Sequence, residues 1–401
     1  MSNWQDLFLQ LGSIGQELGF SLETTMTETA LDPKKQVRAK EYARLRRRLM
    51  LLDLGLVAFY AVLWLAAGLS AALRDYLYRL TSNEWLVVAG FVLVFGGIYF
   101  LIDLPLGYYS GFILPHRYEL SNQTLKEWIV DQAKGVLVGG ILGLVVIEIV
   151  YFVLRVTPEL WWLWAGIILL IFNVILANLA PVLLMPLFFK FTPLEEENRE
   201  LVDRLMNLAD RAGTKVRGVY KFDMSRRTKE ANAAVTGLGN TRRILLGDTL
   251  IDEFSDDEIE TVLAHELAHQ VNRDIPAGIL VESVITLGGL YLAALVLDWS
   301  VAALGFNGIS DVAAMPLLGL VMGLYGMIIM PLGNAYSRYR EIRADEYALK
   351  ITGNGTAYAS ALTRLANQNL AEADPEPWVE ILLYSHPALN KRIAMAENYR
   401  E

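Results

Sequence analysis

The chain has 401 residues, room for two or three domains, and 54% of them are hydrophobic, a high share for a soluble protein. It contains no cysteine, which excludes disulfides, thiolate metal ligands and a cysteine nucleophile. The net charge of -9 is dispersed, with neither an acidic tail nor a basic stripe, so nothing points to nucleic acid.

The first twenty residues lack a basic stretch followed by an apolar core, so no cleavable signal is expected. Trp4, Leu7, Phe8, Leu11, Ile14 and Leu18 recur at near-helical spacing, a pattern read as packing on another domain rather than on a membrane. A basic run follows: Lys34, Lys35, Arg38, Lys40, Arg44, Arg46, Arg47 and Arg48. It stops where an apolar block begins, and 1–48 is read as an amphipathic and basic cytoplasmic segment.

Six apolar blocks reach the roughly 20 residues that a bilayer crossing takes. They lie near 49–73, 85–113, 136–154, 160–189, 276–297 and 312–336. The second and fourth are overlong and carry Pro105, and Pro181 with Pro186, so tilting, kinking or early ends are expected there. Tyr76, Tyr78, Trp85, Trp161, Trp162 and Trp164 stand at block ends, as in interfacial belts. Lysines and arginines cluster before the first block, in 115–135 (Arg117, Lys126, Lys134), after the fourth (Lys190) and after the sixth (Arg338, Arg340, Arg343). The opposite loops hold only Arg74, Arg79 and Arg155. By the positive-inside rule both termini face the cytoplasm, in a plasma or inner membrane if the source is prokaryotic. The expected domains are 1–48, a four-span membrane domain over 49–190, and 191–401 with two further spans.

The segment 191–275 opens with an acidic helix (Glu195, Glu196, Glu197, Glu200). Three β-prone runs, 216–222, 231–236 and 242–246, then predict a small sheet, with Gly237, Gly239 and Asn240 as turn residues. Ser255 and Glu258 form a capping box that starts the next helix. That helix reads T-V-L-A-H-E-L-A-H from Thr261 and holds His265 and His269, two of the four histidines in the chain. Positions i and i+4 share a helix face, so both rings can reach one metal ion, with Glu266 beside its open position. The bland alternative is a pair of core or solvated histidines. A catalytic zinc site needs a third protein ligand. Glu341 and Asp345, one turn apart after the sixth block, are candidates: one carboxylate to bind metal, the next to orient a ligand histidine. Alone they read equally as a charged helix face. His386 with Pro387 reads, alone, as a helix start with an ordinary surface histidine.

Together, S-R-R-T-K-E-A-N-A-A-V-T-G (225–237), H-E-L-A-H (265–269), S-R-Y-R-E-I-R-A-D (337–345) and H-P-A-L-N-K-R (386–392) resemble the type-1 CAAX prenyl proteases, integral-membrane zinc metalloproteases. L-P-L-G-Y-Y-S-G-F (104–112) with 118–134 resembles the N-terminal region of that family more loosely. The resemblance implies a mainly α, multi-pass helical barrel around a water-filled chamber, with a zincin-type peptidase domain carrying a small sheet. It implies one zinc ion on His265, His269 and Glu341, Glu266 as general base, and Asp345 behind a ligand histidine. His386 would stabilise the transition state, Arg392 would support it or the substrate backbone, and Asn232 and Ala233 would lie on a substrate-pairing edge strand. Asp53, Asp103, Glu148, Asn173, Asn178, Glu282 and Asn334 would be candidates to line the chamber.

Six spans rather than the seven of eukaryotic members, and a shorter chain, suggest a prokaryotic member, whose physiological targets need not be prenylated. The expected function is a zinc endopeptidase acting on membrane-associated or lipid-modified peptides. The rivals are a heat-shock-type membrane quality-control protease and a six-span transporter or channel with a structural zinc site.

Overall fold

A computed structural model describes residues 30–194, 198–237 and 241–400. The amphipathic stretch from Trp4 to Leu18, the glutamates 195–197 and the turn residues Gly239 and Asn240 lie outside them.

Among the described residues, six helices are long and apolar enough to cross a membrane. The first, α1 (Pro33–Ala66), takes Asp32 as N-cap, whose carboxylate accepts from the amides of Lys34 and Lys35. The basic run therefore forms the opening turns of the first span's own helix. A short α2 (Leu69–Leu80) leads to α3 (Glu84–Tyr108), in which Pro105 precedes a π-helical turn at Tyr109–Ile113. After α4 (Leu114–Arg117), a Thr124–Glu127 capping box starts α5 (Leu125–Val156) earlier than the apolar block alone indicates. The fourth span is α6 (Trp161–Leu179), continued by a π turn containing Pro181.

The part after the fourth span begins with β1 (Phe191–Pro193), too short and too irregular to be legible as a strand, and α7 (Arg199–Arg211). Then follow β2 (Val219–Phe222), β3 (Ala233–Thr236) and β4 (Arg243–Gly247), the three strands expected, each starting later than its β-prone run and β4 ending one residue later. The sheet runs β1-β2-β4-β3, with β2 parallel to β4 and the two outer pairs antiparallel, so β3 is an edge. After α8 (Asp248–Glu253), the Ser255–Glu258 capping box opens α9 (Asp256–Val271). This helix is buried on most sides (Ile259, Leu263, Ala264, Leu267), between the sheet and later helices.

After a two-residue turn the fifth span, α10 (Asp274–Leu304), begins. It packs on the sixth, α11 (Met315–Thr352), where Gly289 lets the Tyr325 ring come so close that a Cβ would sit 2.8 Å from it. At 38 residues α11 is about 57 Å long, so its C-terminal turns project beyond the apolar part into the core that holds the sheet and α9. There α12 (Gly355–Gln368), α13 (Pro377–Leu383) and α14 (Leu389–Glu397) close the fold.

Candidate metal centre

Helix α9 sets His265 and His269 one turn apart, their ring centroids 5.0 Å apart and their planes perpendicular. Glu341 reaches both from α11, with Oε2 3.2 Å from Nε2 of His265 and Oε1 3.5 Å from Nε2 of His269. Ligand atoms at about 2.0–2.2 Å from a tetrahedral ion stand roughly 3.3 Å from one another, so this spacing fits a metal.

The hydrogen bonds behind the rings sharpen the case. Nδ1 of His265 lies 2.8 Å from Asp345, and Nδ1 of His269 lies 2.8 Å from Asp274. Each carboxylate fixes its ring with the proton on Nδ1, which leaves both Nε2 lone pairs facing the Glu341 oxygens. Acceptors facing acceptors need a cation between them. Glu341 Oε2 is indeed buried with no hydrogen-bond partner. The surroundings favour positive charge: burial alone would lower the pKa of His265, but Asp345 and Glu341 outweigh it and push it up to about 9.

Asp345 is fully buried and saturated with donors. Besides His265 it accepts from the Tyr358 hydroxyl at 2.5 Å and twice from Arg392, at 2.8 and 2.6 Å. Arg392 hydrogen-bonds Asp345 and lines one cavity with His386. His386 does join the centre: its Nε2 is 3.4 Å from Glu341 Oε2 while the side chain keeps one face open to solvent. Read alone as an ordinary surface histidine, it is placed here by the loop between α13 and α14, too far along the chain for spacing to reveal.

Glu266 lines a cavity of about 390 Å³ together with His265, His386 and apolar side chains such as Leu250, Val262 and Leu362. Burial raises its pKa above the ordinary carboxylate value, opposed by the neighbouring His265 and His269. Asn232 and Ala233 line the same cavity. The amide of Gly247 donates to the Asn232 carbonyl, so Asn232 and Ala234 turn their main-chain groups toward β4. Ala233 and Val235 therefore present theirs to the open edge. Asn369 holds the chain just before it, accepting from the Ala231 amide at 2.8 Å and donating to its carbonyl at 3.1 Å.

Two residues of the centre escaped the sequence reading. Tyr358 sits in an ordinary helical stretch and carries no motif. Asp274, five residues after His269, reads as the acidic start of the next helix; its spacing from the H-E-x-x-H motif was the available signal.

A model described as peptidase family M48 matches residues 195–400, and one described as the CAAX prenyl protease N-terminal region, with five membrane helices, matches residues 24–190. Four of the six candidate spans fall in that second range, the short α2 lying among them. An uncharacterized metalloprotease of Bacillus subtilis, YhfN, is 30% identical over 371 residues, covering 92% of this chain and 86% of that protein. CAAX prenyl protease 1 of Saccharomyces cerevisiae is 31% identical over 324 residues, covering 75% and 70%. The crystal structure of Ste24p from S. mikatae superposes with a TM-score of 0.82 at 25% identity, over 96% of this chain and 94% of that one.

Proposed function

The chain belongs to peptidase family M48 as a multi-pass membrane metalloprotease related to CAAX prenyl protease 1, and from that premise we propose how its residues share the work. His265, His269 and Glu341 hold one zinc ion, in keeping with their convergent, mutually unpaired acceptor atoms. Bound there, zinc supplies a Lewis acid that lowers the pKa of water and polarises the scissile carbonyl. Glu266, at the cavity wall beside both histidines, takes the proton of the attacking water and passes it to the leaving amine. Its raised pKa suits a group that must both accept and return a proton.

His386 faces the same cavity from the other side and donates to the developing oxyanion. Asp345 keeps His265 in the tautomer that leaves Nε2 free, and Arg392 with Tyr358 keeps Asp345 in place. The substrate peptide pairs with the open edge of β3 through the main chain of Ala233 and Val235. The peptides cleaved are membrane-associated or lipid-modified, of CAAX type. The centre and both termini face the cytoplasm, as the lysine and arginine distribution supports.

The observation that carries this reading is that one cavity brings together His265 of the ligand triad, Glu266, His386 and the strand residues Asn232 and Ala233. The test uses purified protein in vesicles with quenched peptides, prenylated and unprenylated, with and without a chelator. Glu266→Ala is expected to keep its zinc and lose cleavage. Cleavage at the wild-type rate by that variant would sink the assignment, and indifference to prenylation would remove the lipid from it.

A further inference from the structure

His269 is not held by its own helix alone. Its Nδ1 hydrogen bond goes to Asp274, the first residue of the fifth span α10, which is almost entirely buried. The turn that makes this possible is two residues long. Arg273 adopts a left-handed backbone (φ 55°), rare for a residue with a side chain, and so swings the start of α10 back beneath α9.

The carboxylate is held in turn from the sixth span's helix. Arg340 on α11 places Nε 3.5 Å from the other oxygen of Asp274 and stacks its guanidinium on Tyr336. Nε is itself buried with no hydrogen-bond partner, so the guanidinium acts on Asp274 as a charge. Gly278, one turn into α10, makes the room: a Cβ there would lie 3.1 Å from Nη1 of Arg340. Arg343 adds a second tie, donating to Asn272 in the connecting turn at 3.2 Å. Arg340 precedes the ligand Glu341 on the same helix.

We propose that Asp274 and Arg340 are positioning residues for His269. Asp274 fixes the tautomer and ring plane, and Arg340 holds Asp274 in place. Metal retention thereby depends on how the fifth and sixth spans pack together. This inference rests on the reading of His265, His269 and Glu341 as ligands. The mirrored arrangement on the other ligand, His265–Asp345–Arg392, also uses α11, through Asp345, and ties it to α14; the His269 side instead ties α11 to the first residue of α10.

The test measures zinc affinity of the full-length protein by chelator competition, alongside the visible spectrum of the cobalt-substituted form. Asp274→Ala is expected to weaken zinc binding about ten- to a hundredfold, the range typical of partners that orient a metal-bound histidine. Asp274→Asn, close in shape, should shift the cobalt bands and weaken binding less; it decides the question if the alanine variant does not fold. Gly278→Val should push the guanidinium off Asp274 and act in the same direction as Arg340→Gln. Unchanged affinity and spectrum in Asp274→Asn, or a loss of thermal stability without either change, would overturn the proposal. Retention of zinc by His269→Ala would instead overturn the ligand assignment beneath it.

Discussion

Arg392 and Asp345 meet fork to fork, Nε to Oδ2 at 2.8 Å and Nη2 to Oδ1 at 2.6 Å, both side chains sealed from solvent. The pairing neutralises a carboxylate that would otherwise be buried alone against His265, and a planar guanidinium is the group whose geometry matches it. Arg392→Met leaves that charge uncompensated. Breaking a buried pair from one side costs about 3–5 kcal/mol, so a marked fall in thermal midpoint is expected. Arg392→Lys keeps the charge but cannot fork; it should fold and yet release zinc to a weaker chelator than the wild type does. Thermal unfolding and zinc titration of the two variants check both statements.

His386 stands close enough to Glu341, at 3.4 Å, to raise a second question: whether it closes the metal's open position or faces the substrate. A fourth protein ligand would make the zinc structural. A donor to the oxyanion would leave zinc affinity untouched and cost about a hundred- to a thousandfold in kcat when removed. His386→Ala is expected to show the second pattern, read from zinc content and steady-state kinetics of the same preparation. Loss of zinc in that variant would favour the structural site.

How much of this was legible beforehand follows from how local each signal is. His265, Glu266 and His269 lie within one helical turn, and periodicity brings such residues together without help from the rest of the chain. The spans were legible for the same reason, since a run of apolar residues announces itself. Their starts were not: a capping box at Thr124 extends α5 through residues too polar to read as membrane. The resemblance paired Glu341 and Asp345 with the motif, but the fork between Asp345 and Arg392 was not legible, because only folding brings α14 against α11. Tyr358 acts through a contact that neither composition nor spacing records, and Asp274 left only its spacing from His269 as a signal.

The loop that carries His386 has an acid-sensitive anchor. Glu380 on α13 accepts from the Ala388 amide at 3.1 Å and from Lys391 at 2.7 Å, while Arg338 donates to the carbonyls of Glu380 and Tyr384. Burial works to raise the Glu380 pKa, but Lys391, the Ala388 amide and Arg338 together hold it below the ordinary value. A depressed folded-state pKa means the stabilisation is fully present above the unfolded carboxyl pKa of about 4.3 and drains as pH falls through the lower folded value. Hydrogen-exchange protection of 385–392 should therefore decline below about pH 4.3 in the wild type. In Glu380→Gln it should start lower and lose this dependence. Equal pH profiles in the two proteins would remove Glu380 as the anchor.

The alternation along β3 makes a prediction that separates binding from folding. Ala234 turns its amide toward β4, whereas Val235 turns its own toward the open edge. Proline removes an amide donor, and strands accept it where that donor faces away from the sheet. Ala234→Pro should break a bond of the β3–β4 ladder and lower the thermal midpoint. Val235→Pro should spare the ladder and remove a donor that only a bound peptide would use, raising KM with a smaller effect on kcat. Asn369 occupies both main-chain groups of Ala231, so a peptide that pairs with this edge can do so only from Ala233 onward. If Val235→Pro leaves KM unaltered while the protein stays folded, the substrate does not add to this edge, and its backbone must be held by the cavity wall alone.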